Sequence, residues 1–399
     1  MIVSYLIAVA LRLIPYLFLD SLPFYDPWYY YSGVIDYTYG TESLRHDVFN
    51  RGHPGFYSLI IVVNTVTEFP IIPYFSLFPP LFNSLSILPF YLLSREFFKN
   101  EKAAIISVFF FSVTEIIVLR QSYLVPEGFA VYLMILTFYY IFKDPVPKRI
   151  WSQAFICFVF FYCLCSLHNL TSSMTLIPIL FTFLGFLLPR IFKGGFGEIL
   201  QISRSLRFVI FSVGLSFIWI FWAKEFDYAG FIGNFLALNI DAILISLRGT
   251  ATPTPEGFTE HYTTTESSSI TNLVAMNAGS LVVTLIGIIG FFRLLKKPQK
   301  DTSHIFLIYW SIVMFINFAL NIVIDSLFTG RTYAQQAYRA WIFFIIPVIL
   351  IASLRIAEIQ NYKVFYTLMT TSLIFCMVGA LWFNMFMMES FPHLTPPST

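Results

Sequence analysis

The stretch "LRQSYLVPEGFAVYLMILTFYYIF", residues 119–142, carries the pattern from which the fold is predicted. Residues 128–142 contain no charged side chain, whereas Arg120 and Glu127 precede them. Pro126 suits the first turn of a helix, and a carboxylate in that turn is stabilised by the positive end of the helix dipole. The pattern predicts an apolar helix over residues 128–142 that begins at a polar boundary.

The composition of the whole chain has the same apolar character. Of its 399 residues 57% are hydrophobic and 12% are charged, and the mean hydropathy is +0.75. Soluble domains typically have about 25% charged residues, so the composition predicts an all-α polytopic membrane protein. The net charge of +2 comes without the basic stripe found in nucleic-acid-binding proteins, and no nucleic-acid partner is expected.

The apolar runs predict the number of membrane spans. A crossing helix requires about 20 predominantly apolar residues, and by that criterion we predict about 11 spans, within a range of roughly 10 to 13. Residues 55–67 form a shorter apolar run, which predicts a juxtamembrane or re-entrant helix. The predicted spans lie near residues 1–19, 73–94, 103–119, 128–142, 151–167, 174–189, 207–223, 272–292, 304–326, 338–354 and 364–388.

The basic residues predict the orientation, because lysine and arginine are enriched in cytoplasmic loops. With the N-terminus in the cytoplasm, sixteen of the 24 lysines and arginines lie on the cytoplasmic side. Two long loops, residues 20–54 and 224–271, then lie on the extracytoplasmic or lumenal face. Loops of this length are often functional, and we expect the second to be mobile. We predict one transmembrane domain over residues 1–399, with no soluble domain at either end.

Five polar residues from distant parts of the chain fall on that outer face. Each has an ordinary explanation by itself, as a loop acid, a helix-start acid or an arginine at the interface. Arginine inside lipid is nevertheless costly unless it is paired or hydrated. Their joint placement predicts one site, formed by Asp26, Glu127, Glu266, Arg331 and Arg339.

Acids and arginines at a lipid–water boundary suit one kind of chemistry. Guanidinium groups and divalent cations both match phosphate oxygens. A carboxylate beside them can act as a base on an acceptor, or hold a metal ion that stabilises a leaving phosphate. The arrangement predicts glycosyl transfer from a polyprenyl-phosphate donor.

Arg12 lies in the middle of the first predicted span. A charge at that depth is expensive unless it faces the interior of the helix bundle. We therefore expect Arg12 to pair with an acid, for which Glu115 is a candidate, or with backbone carbonyl groups, in a structural role.

Five segments together resemble the membrane domain of the catalytic subunit of oligosaccharyltransferase, in the GT-C class of glycosyltransferases. The resemblance implies a GT-C-like transmembrane bundle. "RGHPGFYSL" is also similar to the His-Pro-Pro segment of protein O-mannosyltransferases. The segments follow the family order and are "LRLIPYLFLDSLPFYDPWYYYSG" (11–33), "RGHPGFYSL" (51–59), "RQSYLVPEGFAVYLMILTFYY" (120–140), "TTTESSSITN" (263–272) and "YAQQAYRAWIFFIIP" (333–347).

The resemblance implies catalytic roles for three acids. Asp26, in the Asp-Pro-Trp stretch, would be the main catalytic carboxylate and would bind metal or acceptor. Glu127 would be the metal ligand of the second acidic motif. Glu266 would contact the metal or the acceptor from the mobile loop. The implied cofactor is Mn²⁺ or Mg²⁺, held by Asp26 and Glu127.

The resemblance also implies the partners. Arg339, Arg331 and His53 are the candidates for contact with the donor phosphate or the acceptor. The donor would be a sugar or oligosaccharide on a polyprenyl (dolichyl) phosphate or pyrophosphate. The acceptor would be a protein, a glycan or a lipid-linked glycan, and membrane lipids would surround the protein.

The sequence departs from the family at two positions. Phe24 and Val125 stand where members of the family often have acids, which weakens the implied metal site. The Trp-Trp-Asp-Tyr-Gly motif of the family's soluble domain is absent from this sequence. Two other classes therefore remain open, a transporter or flippase of lipid-linked sugar and a non-catalytic homologue of the oligosaccharyltransferase subunit.

Overall fold

The computed structural model describes residues 2–18, 53–67, 71–123, 125–144, 150–192, 203–225, 274–275, 277–296, 302–327 and 334–390. These residues form helices and short connections, without any β-strand. The helices are α1 (Ile2–Phe18), α2 (Pro54–Thr67), α3 (Ile71–Ser84), α4 (Ile87–Phe98), α5 (Glu101–Val113), α6 (Glu115–Ser122), α7 (Pro126–Phe142), α8 (Ile150–Leu167), α9 (Asn169–Phe192), α10 (Ser203–Glu225), α11 (Ala278–Lys296), α12 (Thr302–Leu327), α13 (Ala334–Ala357) and α14 (Tyr362–Ser390).

The predicted all-helical membrane bundle is confirmed. Every predicted span coincides with one helix or with two consecutive helices, and α2 coincides with the short run 55–67. Within the described residues, five helical stretches are long and apolar enough to cross a membrane, and α5 with α6 makes a sixth if that bent pair is one span. Six further apolar helices are shorter. The number of crossings, and the side on which each loop lies, stay predictions.

The span predicted over residues 103–119 is broken in the structure. Thr114 is extended (φ −66°, ψ 121°) and separates α5 from α6, which are bent by 59°. The carboxylate of Glu115 opens α6, and its Oε1 accepts the backbone N–H of Ser280 at 2.6 Å. Ser280 lies in the first turn of α11, whose N–H groups have no partner within their own helix. The bend therefore joins the start of α6 to the start of α11.

Arg12 stabilises the other end of α6. Its guanidinium donates to the carbonyl oxygens of Ala8 (2.9 Å) and Ser112 (3.3 Å) and to Oε1 of Gln121 (2.6 Å). The expected pairing with carbonyl groups is thus confirmed, and Glu115 is not its partner. Because Gln121 belongs to the last turn of α6, Arg12 ties this short helix to α1 and α5.

Helix α13 forms the centre of the bundle. It packs against α5, α11 and α12, and the side chains from Trp341 to Ser353 are almost all buried. Aromatic rings fill much of the remaining interior; the rings of Phe138 and Trp310, for example, lie 4.6 Å apart. Helix α14 packs against α11 and exposes most of its described surface.

Several lysines lie at the end of the bundle opposite to Glu127. Helix α7 has Glu127 in its first turn and ends directly before Lys143, and the next residue, Asp144, pairs with Lys99 at 2.8 Å. Close to the same end Lys102 donates to the carbonyl of Ala357 at the end of α13. Lys99, Lys102 and Lys143, which the sequence assigns to the cytoplasmic side, therefore lie at the end opposite to Glu127.

Candidate functional site

Five polar side chains meet at the Glu127 end of the bundle, and each comes from a helix terminus or a connection. They lie close enough to share one electrostatic environment. They are Arg120 near the end of α6, Glu127 in the first turn of α7, His53 just before α2, His168 between α8 and α9, and Arg339 in the second turn of α13. We call this group the Glu127 cluster.

The sequence Val125-Pro126-Glu127-Gly128 fixes the position of Glu127. Val125 is extended (φ −132°, ψ 144°) and Pro126 opens the helix. A Cβ atom on Gly128 would lie 2.8 Å from the carbonyl oxygen of Arg120 and 2.8 Å from Nδ2 of Asn83. Only glycine allows this approach, which brings the start of α7 against the end of α6.

Three basic groups surround the carboxylate of Glu127. Nη1 of Arg120 lies 3.2 Å from Oε2, which is the shortest of these three contacts. Nε of Arg339 and Nε2 of His168 each lie 3.8 Å from Oε1. The exposed fraction is 5% for the side chain of Glu127, 13% for Arg120 and 28% for Arg339. Arg339 is therefore the guanidinium with the most open access from outside the cluster.

The tautomer of His168 follows from its partners. Its Nδ1 accepts the backbone N–H of Thr171 at 3.3 Å and lies 2.7 Å from Oγ1 of the same residue. An acceptor nitrogen carries no proton, so neutral His168 carries its proton on Nε2, which faces Glu127. Burial, together with the positive charges of Arg339 and Arg120, lowers the pKa of His168 to about 3.

His53 lies against His168 as a second neutral imidazole. The two rings are stacked with their centroids 5.1 Å apart. Burial as the main cause, with a smaller contribution from His168, lowers the pKa of His53 to about 3. A Cβ atom on Gly55 would overlap the side chain of Ser166 at 2.2 Å, so the glycine lets the start of α2 approach the end of α8. This approach places His53 on His168.

The charges of the Glu127 cluster do not cancel. At neutral pH it contains two guanidinium groups, one carboxylate and two neutral imidazoles, which leaves one net positive charge. Guanidinium groups bind phosphate and carboxylate oxygens through charge-assisted hydrogen bonds. The cluster therefore has the chemistry of an anion-binding site with an internal counter-ion.

The structure brings together three of the residues predicted from sequence, namely Glu127, Arg339 and His53. Asp26, Glu266 and Arg331 lie outside the described residues, as do most of both long loops. Sequence reasoning missed two members of the cluster. By sequence alone Arg120 has the position of an ordinary interface arginine, and His168 directly follows an apolar run. The predicted spans place His168 on the same outer face as Glu127, and this position was the signal that could have identified His168.

The surroundings of Glu127 do not fit a divalent cation. Among the residues that the structure describes, His, Cys, Asp and Glu form no group of three or more that could hold a metal ion. A divalent ion bound to Glu127 would lie about 2.0–2.6 Å from a carboxylate oxygen. Since both oxygens already face guanidinium groups, the ion would stand close to two positive charges. The metal site predicted for Asp26 and Glu127 together stays a prediction, because Asp26 lies outside the described residues.

Comparison with known proteins identifies the class of fold. No protein-family model matches the chain, and neither does any curated protein sequence. Among solved structures, this chain is similar to a GT-C oligosaccharyltransferase, which is the family that the sequence motifs resemble. The protein concerned is the oligosaccharyltransferase of Archaeoglobus fulgidus; its apo form aligns with a TM-score of 0.61 and 15% sequence identity over 98% of this chain.

Two further structures of that protein align similarly. One is a complex with an inhibitory peptide and a dolichol-phosphate (TM-score 0.57, 15% identity, 98% of this chain and 56% of that chain). The other is a complex with Zn and sulfate (TM-score 0.56, 15% identity, 98% of this chain and 53% of that chain). The chain spans 56% of the length of the apo structure. The similarity establishes the fold over nearly the whole of the present chain.

Proposed function

We propose that the protein is an integral membrane glycosyltransferase that uses a polyprenyl (dolichyl) phosphate or pyrophosphate sugar donor. The observation that carries this proposal is the gathering of Arg120 and Arg339 around Glu127 at one end of an oligosaccharyltransferase-like fold. It is further supported by the fold neighbour that binds a dolichol-phosphate and an inhibitory peptide. The acceptor class is a protein or a lipid-linked glycan.

In this proposal the arginines serve the leaving group. The acceptor nucleophile attacks C1 of the donor sugar, the bond between C1 and the phosphate oxygen breaks, and the electron pair stays on the phosphate. Arg339, with Arg331 and His53, contacts that phosphate, and the guanidinium charge stabilises the growing negative charge. Asp26 takes the proton of the acceptor, and Glu266 orients the acceptor from the second long loop.

A metal ion bound by Asp26 would supply further positive charge at the leaving phosphate. Its identity as Mn²⁺ or Mg²⁺ rests on the family resemblance alone. The roles of the guanidinium groups do not depend on it, because they carry their charge at every physiological pH.

The proposed membrane arrangement follows the distribution of basic residues. The N-terminus and the end of the bundle with Lys99 and Lys102 face the cytoplasm, and the Glu127 cluster faces the outside or the lumen. In the proposed single transmembrane domain, the loops 20–54 and 224–271 complete the site from that side. A donor delivered by the outer leaflet could then reach Arg339, the most exposed member of the cluster.

The test combines donor binding with transfer. Dolichyl phosphate binding to the purified protein in nanodiscs is compared with binding to Arg339→Ala. Because a charge-assisted hydrogen bond contributes about 1.5–3 kcal/mol, the affinity should fall roughly 10- to 100-fold. Arg293→Ala is the matched control, since Arg293 pairs with Glu358 at the opposite end, and it should leave the affinity unchanged.

Transfer itself is measured with synthetic dolichyl-linked sugars and a mixture of peptide and glycolipid acceptors. Asp26→Ala should abolish product formation while the protein still folds in the membrane. Full transfer by Asp26→Ala would contradict the proposed role of this acid. Movement of the donor across the bilayer without a glycosidic product would support a flippase instead.

A further inference from the structure

The carboxylate of Glu127 occupies the position of a metal ligand in sequence but has the surroundings of a counter-ion. Its Oε2 lies 3.2 Å from Nη1 of Arg120, and its Oε1 lies 3.8 Å from Nε of Arg339. Nε2 of His168, which carries the proton, approaches the same Oε1 at 3.8 Å. The N-terminus of α7 adds a partial positive charge. All four groups stabilise the negative charge of Glu127 directly.

The two arginines differ in how firmly they are held. The Arg120–Glu127 contact is short and enclosed, with 13% and 5% of the two side chains exposed. The Arg339–Glu127 contact is longer than a hydrogen bond, and 28% of the Arg339 side chain is exposed. A ligand that reaches the cluster therefore competes with Glu127 mainly for Arg339, while Arg120 stays with the carboxylate.

We propose that Glu127 is an internal counter-ion that an incoming phosphate anion partly displaces from Arg339, and that Glu127 does not bind a metal ion. The inference deepens the proposed function and rests on it for the identity of the phosphate as that of a lipid-linked donor. Carboxylate and phosphate compete because both accept hydrogen bonds from the same edges of a guanidinium group. Glu127 keeps two guanidinium groups together in the absence of ligand and weakens the binding of the ligand as a consequence.

The proposal makes a prediction whose sign separates it from a metal-ligand role. Glu127→Gln keeps the shape of the side chain and removes its charge, so Glu127 no longer competes with the ligand for Arg339. One unit charge at about 6 Å in partly buried surroundings changes anion affinity strongly, and we expect dolichyl phosphate to bind roughly 3- to 30-fold more tightly. A metal ligand would behave in the opposite way, because its loss would weaken both metal and phosphate binding.

The first measurement is dolichyl phosphate affinity in nanodiscs for the wild type and for Glu127→Gln. The second is Mn²⁺ affinity of both proteins, followed by the electron paramagnetic resonance signal of the free ion. The proposal expects tighter dolichyl phosphate binding and unchanged Mn²⁺ affinity. Weaker or unchanged dolichyl phosphate binding, or a loss of Mn²⁺ affinity in the variant, overturns it.

The chain contains a matched control at its other end. Oε2 of Glu358 also faces two arginines, Arg293 at 3.7 Å and Arg355 at 3.9 Å. Glu358→Gln changes the net charge by the same amount and should leave dolichyl phosphate affinity unchanged. An equal gain of affinity in Glu358→Gln would mean a general effect of net charge, and it would overturn the proposal.

Inorganic pyrophosphate distinguishes a lipid-linked phosphate from a free one. The proposal expects dolichyl phosphate to bind more tightly than pyrophosphate in both proteins. Equal or tighter binding of pyrophosphate would assign the site to a free anion and overturn the lipid assignment. If Glu127→Gln fails to fold, Glu127→Asp carries the test, because it keeps the charge but moves it away from Arg339 and should bind dolichyl phosphate more tightly than the wild type.

Failure of this inference and failure of the proposed function give different results. If the wild type transfers sugar but Glu127→Gln loses Mn²⁺ affinity, the proposed function is supported and the counter-ion role of Glu127 is refuted. If the wild type shows no sugar transfer but Glu127→Gln binds dolichyl phosphate more tightly, the counter-ion role of Glu127 is supported and the proposed function is refuted. A wild type that binds no dolichyl phosphate refutes both.

Discussion

At the residue scale, the surroundings of His168 keep its imidazole neutral. Its pKa of about 3 lies below the ordinary value of 6.5, with burial as the main cause. As the pH falls below about 6.5 the unfolded chain takes up a proton at this histidine and the folded protein does not. The folded state therefore loses up to about 1.4 kcal/mol of stability for each pH unit between about 6.5 and 3, whereas this loss is absent above pH 6.5.

Melting temperatures in detergent at pH 7.5, 6.5 and 5.5 test this pH dependence. In His168→Gln the unfolded chain no longer takes up that proton, so its melting temperature should fall less on acidification than that of the wild type. An unchanged pH dependence in His168→Gln would show that His168 is not the group concerned.

Arg12 is a second residue whose role depends on burial. Removal of its guanidinium leaves the Ser112 carbonyl and the Gln121 side-chain oxygen without this donor, and each unsatisfied buried group costs about 1–3 kcal/mol. Arg12→Ala should therefore lower the melting temperature by several degrees, measured in detergent. Arg95→Ala is the control, since Arg95 is exposed and lies in the last turn of α4. Equal melting temperatures of Arg12→Ala and the wild type would exclude a structural role.

The contact between α6 and α7 is the decisive feature at the scale of helices. A methyl group on Gly128 would press against the backbone oxygen of Arg120, and overpacking of this kind typically costs about 1–3 kcal/mol. Gly128→Ala should therefore destabilise the protein and separate Arg120 from Glu127. We expect dolichyl phosphate affinity in nanodiscs to fall at least about threefold, which corresponds to about 0.6 kcal/mol.

Gly214→Ala provides the comparison for that variant. The three atoms nearest to the added methyl group would all belong to the ring of Phe158, a side chain that can move and that is not part of the Glu127 cluster. Gly214→Ala should change stability without changing dolichyl phosphate affinity. Equal affinities of Gly128→Ala and the wild type would separate the α6–α7 contact from ligand binding.

The helices themselves could be predicted from the apolar runs, whereas their breaks could not. The run over residues 103–119 reads as continuous because Ile116 and Ile117 follow Glu115 without any glycine or proline. The break at Thr114 is stabilised by the hydrogen bond between the carboxylate of Glu115 and the backbone N–H of Ser280, which lies more than 160 residues further along the chain. Such a long-range hydrogen bond leaves no trace in a local hydrophobic pattern.

At the scale of the whole molecule, the distribution of lysine and arginine along the sequence predicts the orientation in the membrane. Asn361→Cys is placed at the end with Lys102, and Glu260→Cys lies in the predicted outer loop 224–271. A membrane-impermeant maleimide added to intact cells should label Glu260→Cys and should label Asn361→Cys only after lysis. The wild type measures the background from the four native cysteines, of which three are buried. The reverse labelling pattern would invert the predicted topology.

Composition and the spacing of apolar runs determined the all-helical membrane bundle, because the length and the polarity of each run decide whether it forms an apolar helix. Glu127, Arg339 and His53 could also be selected from sequence, since the membrane spans predict which loops share a face. Only the tertiary structure added Arg120 and His168, because Gly128 and Gly55 must first bring separate helix ends into contact. The same packing places two guanidinium groups on the carboxylate of Glu127. That electrostatic environment, which no local motif encodes, gives an acid from a metal-binding pattern the properties of a counter-ion.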